Sequence, residues 1–371
     1  MIGAGAIGLA CGWRIAAAGM SVAVFDRFSP GAGASGVAAG MLAPVTEADF
    51  GAAGLLELNL AGERAWPAFA AELEAATGRD LGFVRSGALV VASDRDDGEE
   101  LHRLQELQAS LGLESSWLSS SAARELEPGL APGIAGALSA PGDGAVDPRA
   151  LLSALAVALD AAGGELVVGV DAQLRIEQGR VVGISSHVGD FEASTVVLAA
   201  GAWSVAVEGL PDSVGLPLRP VKGQILRLRR PPELAALAER IVRSPRCYVV
   251  DRDDGEVVIG ATTEDRGFDQ TVTAGAVHRL LEAAWELLPD VAELELVETG
   301  AGLRPTTPDN EPLIGRSPGL EGLILATGHG RNGILLAPGT ADAVAAVAAG
   351  GALPEPFARC SPDRFAAAGR S

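Results

Sequence analysis

The chain has 371 residues, 48% of them hydrophobic, and a formal net charge of −20 from 48 Asp and Glu against 28 Lys and Arg. That length exceeds one ordinary core and suits two domains, and the acidic balance offers no basic stripe to nucleic acid or an anionic membrane. No apolar run approaches the roughly 20 residues of a membrane span and no secretory segment opens the chain, so a cytoplasmic protein is expected. Cys11, Cys247 and Cys360 are too few and too dispersed for a disulfide framework or a zinc cluster, and each is expected as a packed free thiol.

The first 27 residues, MIGAGAIGLACGWRIAAAGMSVAVFDR, place Gly3, Gly5 and Gly8 in G-x-G-x-x-G spacing ahead of a helix over 9–18, a break at Gly19 and a strand ending at Asp26. This is one β-α-β unit. Gly3 permits the tight turn, Gly5 lets backbone approach a pyrophosphate, and Gly8 lets helix and strand pack closely, while Asp26 falls where an acid accepts from ribose hydroxyls. Only Met1 and Ile2 precede Gly3, whereas a buried parallel strand usually runs about 5 or 6 residues, so the first strand is expected to be cut short, the start codon lying upstream or the sequence beginning late. The unit leaves nicotinamide and flavin both open. Residues 28–45, FSPGAGASGVAAGMLAPV, carry no helical apolar stripe and read as backbone laid against something flat and extended.

Further along, LLELNLAGERAWPAFAAELEAATG predicts a helix, SGALVVASD a strand, and DGEELHRLQELQASLG an amphipathic helix. Asp147 before Pro148 marks the start of another helix, PRALLSALAVALDAAGG. Strands follow in GELVVGV, AQLRIEQ and RVVGISS, the last two joined as a hairpin near Gly179, and TVVLAAGAWS is a buried strand ending in small residues at Ala200 and Gly201. CYVVDRDDGEVVIGAT is a hairpin turning at 253–255, AGAVHRLLEAAWELLP a helix, GLILATG a strand, and an Ala-rich helix beginning near Ile334 closes the fold. The expected layout is α/β, with a Rossmann-like domain of segments 1–80, 145–215 and 300–371, and a discontinuous domain of 81–144 and 216–299 built on a mixed or antiparallel sheet with helices.

Seven motifs in order, IGAGAIGLACGWRIAAAG, GASGVAAGMLAP, VVLAAGAWS, PLRPVKGQIL, VVIGATTED, AGLRPTTPDNEPLIG and ATGHGRNGILLAP, resemble those of the D-amino-acid oxidase superfamily, most nearly the glycine oxidases of thiamine biosynthesis. The resemblance implies noncovalent FAD. It places Gly3, Gly5, Ala6, Ile7, Gly8, Asp26, Arg27, Ser35, Gly40, Met41, Leu42, Val170, Ala200, Gly201 and Trp203 around the cofactor, with Val170 against adenine. His329, Gly330, Arg331, Asn332, Gly333, Ile334 and Leu335 are expected at the flavin, with His329 structural and the helix end favouring negative charge on the reduced ring. Arg304 matches the arginine that forks the substrate carboxylate, a task suited to guanidinium, and Arg331 and Tyr248 border the same pocket.

The implied reaction is hydride transfer from the Cα of glycine or another small amine or D-amino acid to flavin N5, giving a 2-oxo acid, ammonia and, with dioxygen, peroxide. With four histidines, His102, His187, His278 and His329, none clustered, no metal site or nucleophilic triad is expected. Two departures, Gly330 where an aromatic is usual and Gly300 in place of Trp, predict a wider pocket that admits sarcosine or larger D-amino acids. A dehydrogenase with another electron acceptor, and a flavoprotein without turnover, stay open; a tetramer or dimer is what the resemblance implies.

Overall fold

The structure, a computed structural model, describes residues 1–49 and 51–366. Its nucleotide-side sheet is joined through one residue: Ile2 bridges in parallel to Phe25 on one side and to Leu198 on the other. The Ile2 N–H donates to the Val197 carbonyl at 2.9 Å, the Ala199 N–H to the Ile2 carbonyl at 2.8 Å, and the Phe25 N–H to the Met1 carbonyl at 2.9 Å. The brief first strand therefore satisfies the backbone groups a buried strand must satisfy. It links the parallel pair Ala23–Asp26 and Glu165–Val168 to a three-stranded sheet ordered Val196–Leu198, Leu323–Thr327, Leu313–Arg316.

One face of this sheet is covered by the helices Ala6–Ala17, Pro148–Ala161, Ala337–Ala348 and Ala53–Thr77, which share a core with Leu9, Ile15, Trp66, Phe69, Leu155 and Val344. The second of these starts as expected, the Asp147 side chain accepting the Arg149 N–H at 2.8 Å with Pro148 in the first turn. Trp66, on the long helix, donates from Nε1 to the Leu335 carbonyl at 3.0 Å. On the opposite face lies an antiparallel sheet of Gln173–Glu177, Arg180–Ser186 and Gly189–Glu192, packing Leu174, Val181 and Ile184 with Phe25, Leu198 and Leu325. Its first hairpin turns through left-handed Gln178 and Gly179.

The other large layer has eight strands in the order Glu295–Thr306, Arg219–Arg229, Glu256–Gly260, Tyr248–Asp251, Ile241–Arg243, Ala88–Ala92, Gly136–Ala140, Ser116–Ser119. The helix Ala274–Leu287, capped by Thr273, turns Ala276, Leu280, Ala283 and Leu287 at helical spacing onto Leu226, Leu228, Val257 and Ile259. The opposite face presents Ile225, Val250 and Val258 with Val37 and Met41 packed on it, toward the nucleotide side. The sheet is mixed, with one parallel pair, Ile241–Arg243 on Ala88–Ala92, among antiparallel ones. Gly136–Ala140 has no β-branched residue and owes its strand to pairing with Ala88–Ala92, and Glu295–Thr306 pairs along its length with Arg219–Arg229. The expected segment 300–371 also runs past the last described residue, 366. Among the described residues no helix is long and apolar enough to cross a membrane, and the three cysteines are buried and free.

Candidate active site

A cavity of about 670 Å³ is walled by the nucleotide unit and the eight-stranded sheet together. Gly3, Gly5, Ala6, Ile7, Asp26, Arg27 and Ser35 line one end. Gly3 has φ +107°, and a Cβ there would lie 2.4 Å from the Ala199 carbonyl oxygen, so no other residue fits. The helix that follows has Gly5 as its N-cap, no side-chain cap and no acid in its first turn, which leaves a positive end open to an anion. The Ser35 Oγ accepts the Ala6 N–H at 3.0 Å. Asp26 is held rigidly, its two carboxylate oxygens accepting from Ala4 at 2.7 Å and Phe28 at 2.9 Å. A glycine cradle at a bare helix end with a fixed acid beyond it is the donor set that a dinucleotide's pyrophosphate and ribose require.

Gly40, Met41, Val170, Ala200, Gly201 and Trp203 line the same cavity, with the Arg27 guanidinium 5.0 Å from the Trp203 ring centre. Gly8, Leu42 and Leu335 are not among the lining residues, and Gly8 has the close-packing place expected of it. Gly8 is pressed onto Gly3, where a Cβ would meet its carbonyl oxygen at 1.9 Å, and both leucines are buried in the helical core.

At the far end the strands of the large sheet deliver Arg304 and Tyr248. Arg304 donates from Nη1 to the Thr262 carbonyl at 3.1 Å. Burial lowers its pKa from the usual arginine value, with Tyr248 and Glu47 opposing that shift. Burial likewise pushes the Tyr248 phenol up to about 12, with Arg304 acting against it, so the hydroxyl keeps its proton. Two glycines make the room: Gly223 lies under the Arg304 guanidinium and Gly260 beside the Tyr248 hydroxyl, where added Cβ atoms would come within 2.3 Å. The sequence reading contains both in PVKGQ and VVIGATT without assigning them a part; the signal was glycine inside a strand, which marks close approach.

The segment His329–Ile334 lines the cavity, but the regular helix begins at Ala337, with Pro338 in its first turn, and not near Ile334. Left-handed Gly330 and the turn from Asn332 N–H to the His329 carbonyl precede it, and Pro338, with no N–H to give the Ile334 carbonyl, interrupts the regular ladder. The Leu336 N–H donates to the Asn332 carbonyl at 2.9 Å, so a helical turn over 332–336 leads from the cavity into that helix. His329 is buried against Thr340, Nε2 to Oγ1 at 3.0 Å, and burial lowers its pKa to about 3. Gly330 has nothing within 4 Å of where a Cβ would stand, whereas Gly300 is outside the lining and faces Val37 and Ile225 at contact distance.

Glu47 and Arg243 also enter the site, and neither was foreseen. Glu47 Oε2 lies 3.3 Å from Arg331 Nε and its Oε1 3.6 Å from Arg243 Nη1. Arg243 also donates to the Thr46 carbonyl and hydroxyl, both at 3.2 Å. The Thr46 hydroxyl donates to buried Asp143 at 2.7 Å, and that carboxylate also accepts the Val45 and Thr46 N–H groups. Burial raises the Asp143 pKa to about 6 against these hydrogen bonds and Arg243.

A dinucleotide cradle that opens on a half-buried arginine and tyrosine is the construction of an oxidoreductase that holds its cofactor against a small acid. The chain belongs to the family described as DAO, FAD dependent oxidoreductase, whose model matches residues 1–347. It is similar to the glycine oxidase of Geobacillus kaustophilus, 37% identical over 93% of this chain and 91% of that one. The crystal structure of a glycine oxidase from that organism superposes with a TM-score of 0.90 at 36% identity, covering 97% and 96% of the two chains. The bifunctional protein ThiO/ThiG of Trichormus variabilis is 36% identical over 93% of this chain but 51% of its own length. Iminodiacetate oxidase from Chelativorans sp. BNC1 has a TM-score of 0.86 at 30% identity, covering 97% of this chain and 98% of its own. The protein is an FAD-dependent amine oxidoreductase.

Proposed function

We propose that the protein oxidises glycine, or another small amine or D-amino acid, with dioxygen and water to the 2-oxo acid, ammonia and hydrogen peroxide, and that it does so in thiazole formation for thiamine. The observation that carries this reading is Arg304: a half-buried guanidinium whose hydrogen bond to a neutral carbonyl leaves its charge for a substrate carboxylate, beside the un-ionised Tyr248 hydroxyl. The motif order shared with glycine oxidases and the match to ThiO/ThiG support the substrate and the pathway.

Held noncovalently in this reading along Gly3, Gly5, Ser35 and Asp26, FAD would supply the acceptor for a hydride from the substrate Cα and the route of its electrons to dioxygen. The chain supplies placement. Arg304 and Tyr248 fix the carboxylate, which leaves the Cα–H bond of the amine oriented by two anchored oxygens. His329, with its pKa near 3 and its Nε2 turned to Thr340, takes no proton at neutral pH, and Glu47 is engaged by two arginines. The amine consequently reacts as the free base, and the rate of anaerobic flavin reduction rises with pH toward the amine's own pKa. The open space at Gly330 favours substrates larger than glycine as a second choice. Anaerobic mixing with glycine, sarcosine or D-alanine tests the proposal: bleaching of the flavin's visible band is expected, and no bleaching with any of them rejects it.

A further inference from the structure

We infer that Glu47 restricts the cavity to amines carrying a single carboxylate, by filling with its own carboxylate the cationic position that Arg331 would otherwise offer to a second acid group. The inference rests on the proposed carboxylate site at Arg304 and deepens it. Arg304, Arg243 and Arg331 are among the arginines that line the same cavity as Tyr248 and Glu47. Two of them share Glu47, at 3.6 and 3.3 Å, and Arg331 donates again from Nη2 to the Glu47 carbonyl at 3.4 Å. Arg243 is further tied to Thr46, whose hydroxyl meets the Asp143 carboxylate.

Two of the three share the Glu47 carboxylate, so a substrate carboxylate falls to the one that has no carboxylate partner among the described residues. Arg304 is the arginine left to take it, since its hydrogen bond is to a neutral carbonyl. A substrate with two acid groups would bring its second one against Glu47, and like charges in a partly buried chamber repel strongly. The Glu47 side chain is only 12% exposed, and the backbone beneath it is fixed by the Val45 and Thr46 N–H groups on Asp143, so it has little freedom to swing aside. Arg331, at 49% exposure, stands at the solvent side of the pair, where a longer diacid would reach it.

The test compares non-reactive acids on the flavin-loaded protein: acetate with one carboxylate, malonate and succinate with two, each titrated against the shift of the flavin's visible band. Glu47→Gln is expected to raise the diacid-to-acetate affinity ratio by roughly tenfold or more, and Glu47→Gln with Arg331→Ala to lose that gain. In turnover, the kcat/KM ratio of iminodiacetate to glycine should move the same way. An unchanged ratio in Glu47→Gln overturns the inference, as does a gain that survives intact in the double variant. Should Glu47→Gln fail to hold flavin, Glu47→Ala provides the same comparison. A protein that bleaches with no amine but shows the ratio change has lost the proposed reaction and kept this inference; one that bleaches with an amine but whose ratio is unchanged in Glu47→Gln has kept the reaction and lost the inference.

Discussion

The guanidinium of Arg304 lies directly over the bare Cα of Gly223 on the neighbouring strand: a methyl group there would stand 2.3 Å from Nη2 and 2.6 Å from Cζ. The register explains the contact. Arg304 pairs with Val221 and Gly302 with Gly223, so two glycines face each other one step from the arginine and open a channel in the sheet along which its side chain lies. Gly223→Ala should therefore displace Arg304 without touching the nucleotide cradle. Steady-state kinetics should show kcat/KM reduced by roughly 10- to 100-fold, since small misplacements at a reacting centre cost that much, with FAD content unchanged.

Tyr248→Phe removes one hydroxyl from the same chamber and leaves the ring to fill its place. The loss of a hydrogen bond to a charged group is worth about 1.5–3 kcal/mol, or roughly 10- to 150-fold. Because that bond is made to the bound carboxylate before and during reaction, the loss should appear chiefly in KM. An effect confined to kcat would assign the hydroxyl to the chemical step.

His329 predicts a pH dependence of stability. Its pKa is lowered by burial to about 3 from 6.5, so between those values the unfolded chain binds one more proton than the fold. The stabilisation is complete above 6.5 and is lost as pH falls toward 3, at about 1.4 kcal/mol per pH unit for this group. Urea unfolding between pH 7 and pH 4.5 should show a steeper decline for the wild type than for His329→Asn. Parallel curves would show that the histidine is hydrated or charged in the fold.

Trp66 ties the long helix to the segment that turns into the cavity, through its bond to the Leu335 carbonyl and its packing on Phe69 and Phe83. Trp66→Ala should cost about 3–5 kcal/mol of unfolding free energy, read from denaturant midpoints. Trp66→Phe keeps most of the volume and strands only the carbonyl, costing about 1–3 kcal/mol.

Much of this fold is legible in the sequence wherever a local device sets it. Asp147 and Pro148 announce a helix because capping is a matter of adjacent residues, and Asp253 to Gly255 announce a hairpin for the same reason. The glycine fingerprint likewise marks the cradle. What stays hidden is what depends on pairing between distant segments. Gly136–Ala140 becomes a strand only because Ala88–Ala92 and Ser116–Ser119 flank it. Glu47 is a single acid in a turn with no periodicity around it, and its partner Arg331 is 284 residues away. The regular helix starts at Ala337 rather than near Ile334 because Pro338 has no N–H for the Ile334 carbonyl, although the Leu336 N–H to Asn332 carbonyl bond makes a helical turn ahead of it.

The central claim is that Arg304 holds the carboxylate of the amine being oxidised, and anaerobic rapid mixing of the flavin-loaded Arg304→Ala protein with the best amine substrate tests it most directly. Losing a two-pronged charged contact worth about 3–4 kcal/mol predicts flavin reduction at subsaturating substrate slowed by roughly 10² to 10³-fold, with the absorbance of bound FAD before mixing equal to that of the wild type. Reduction at the wild-type rate would contradict the account.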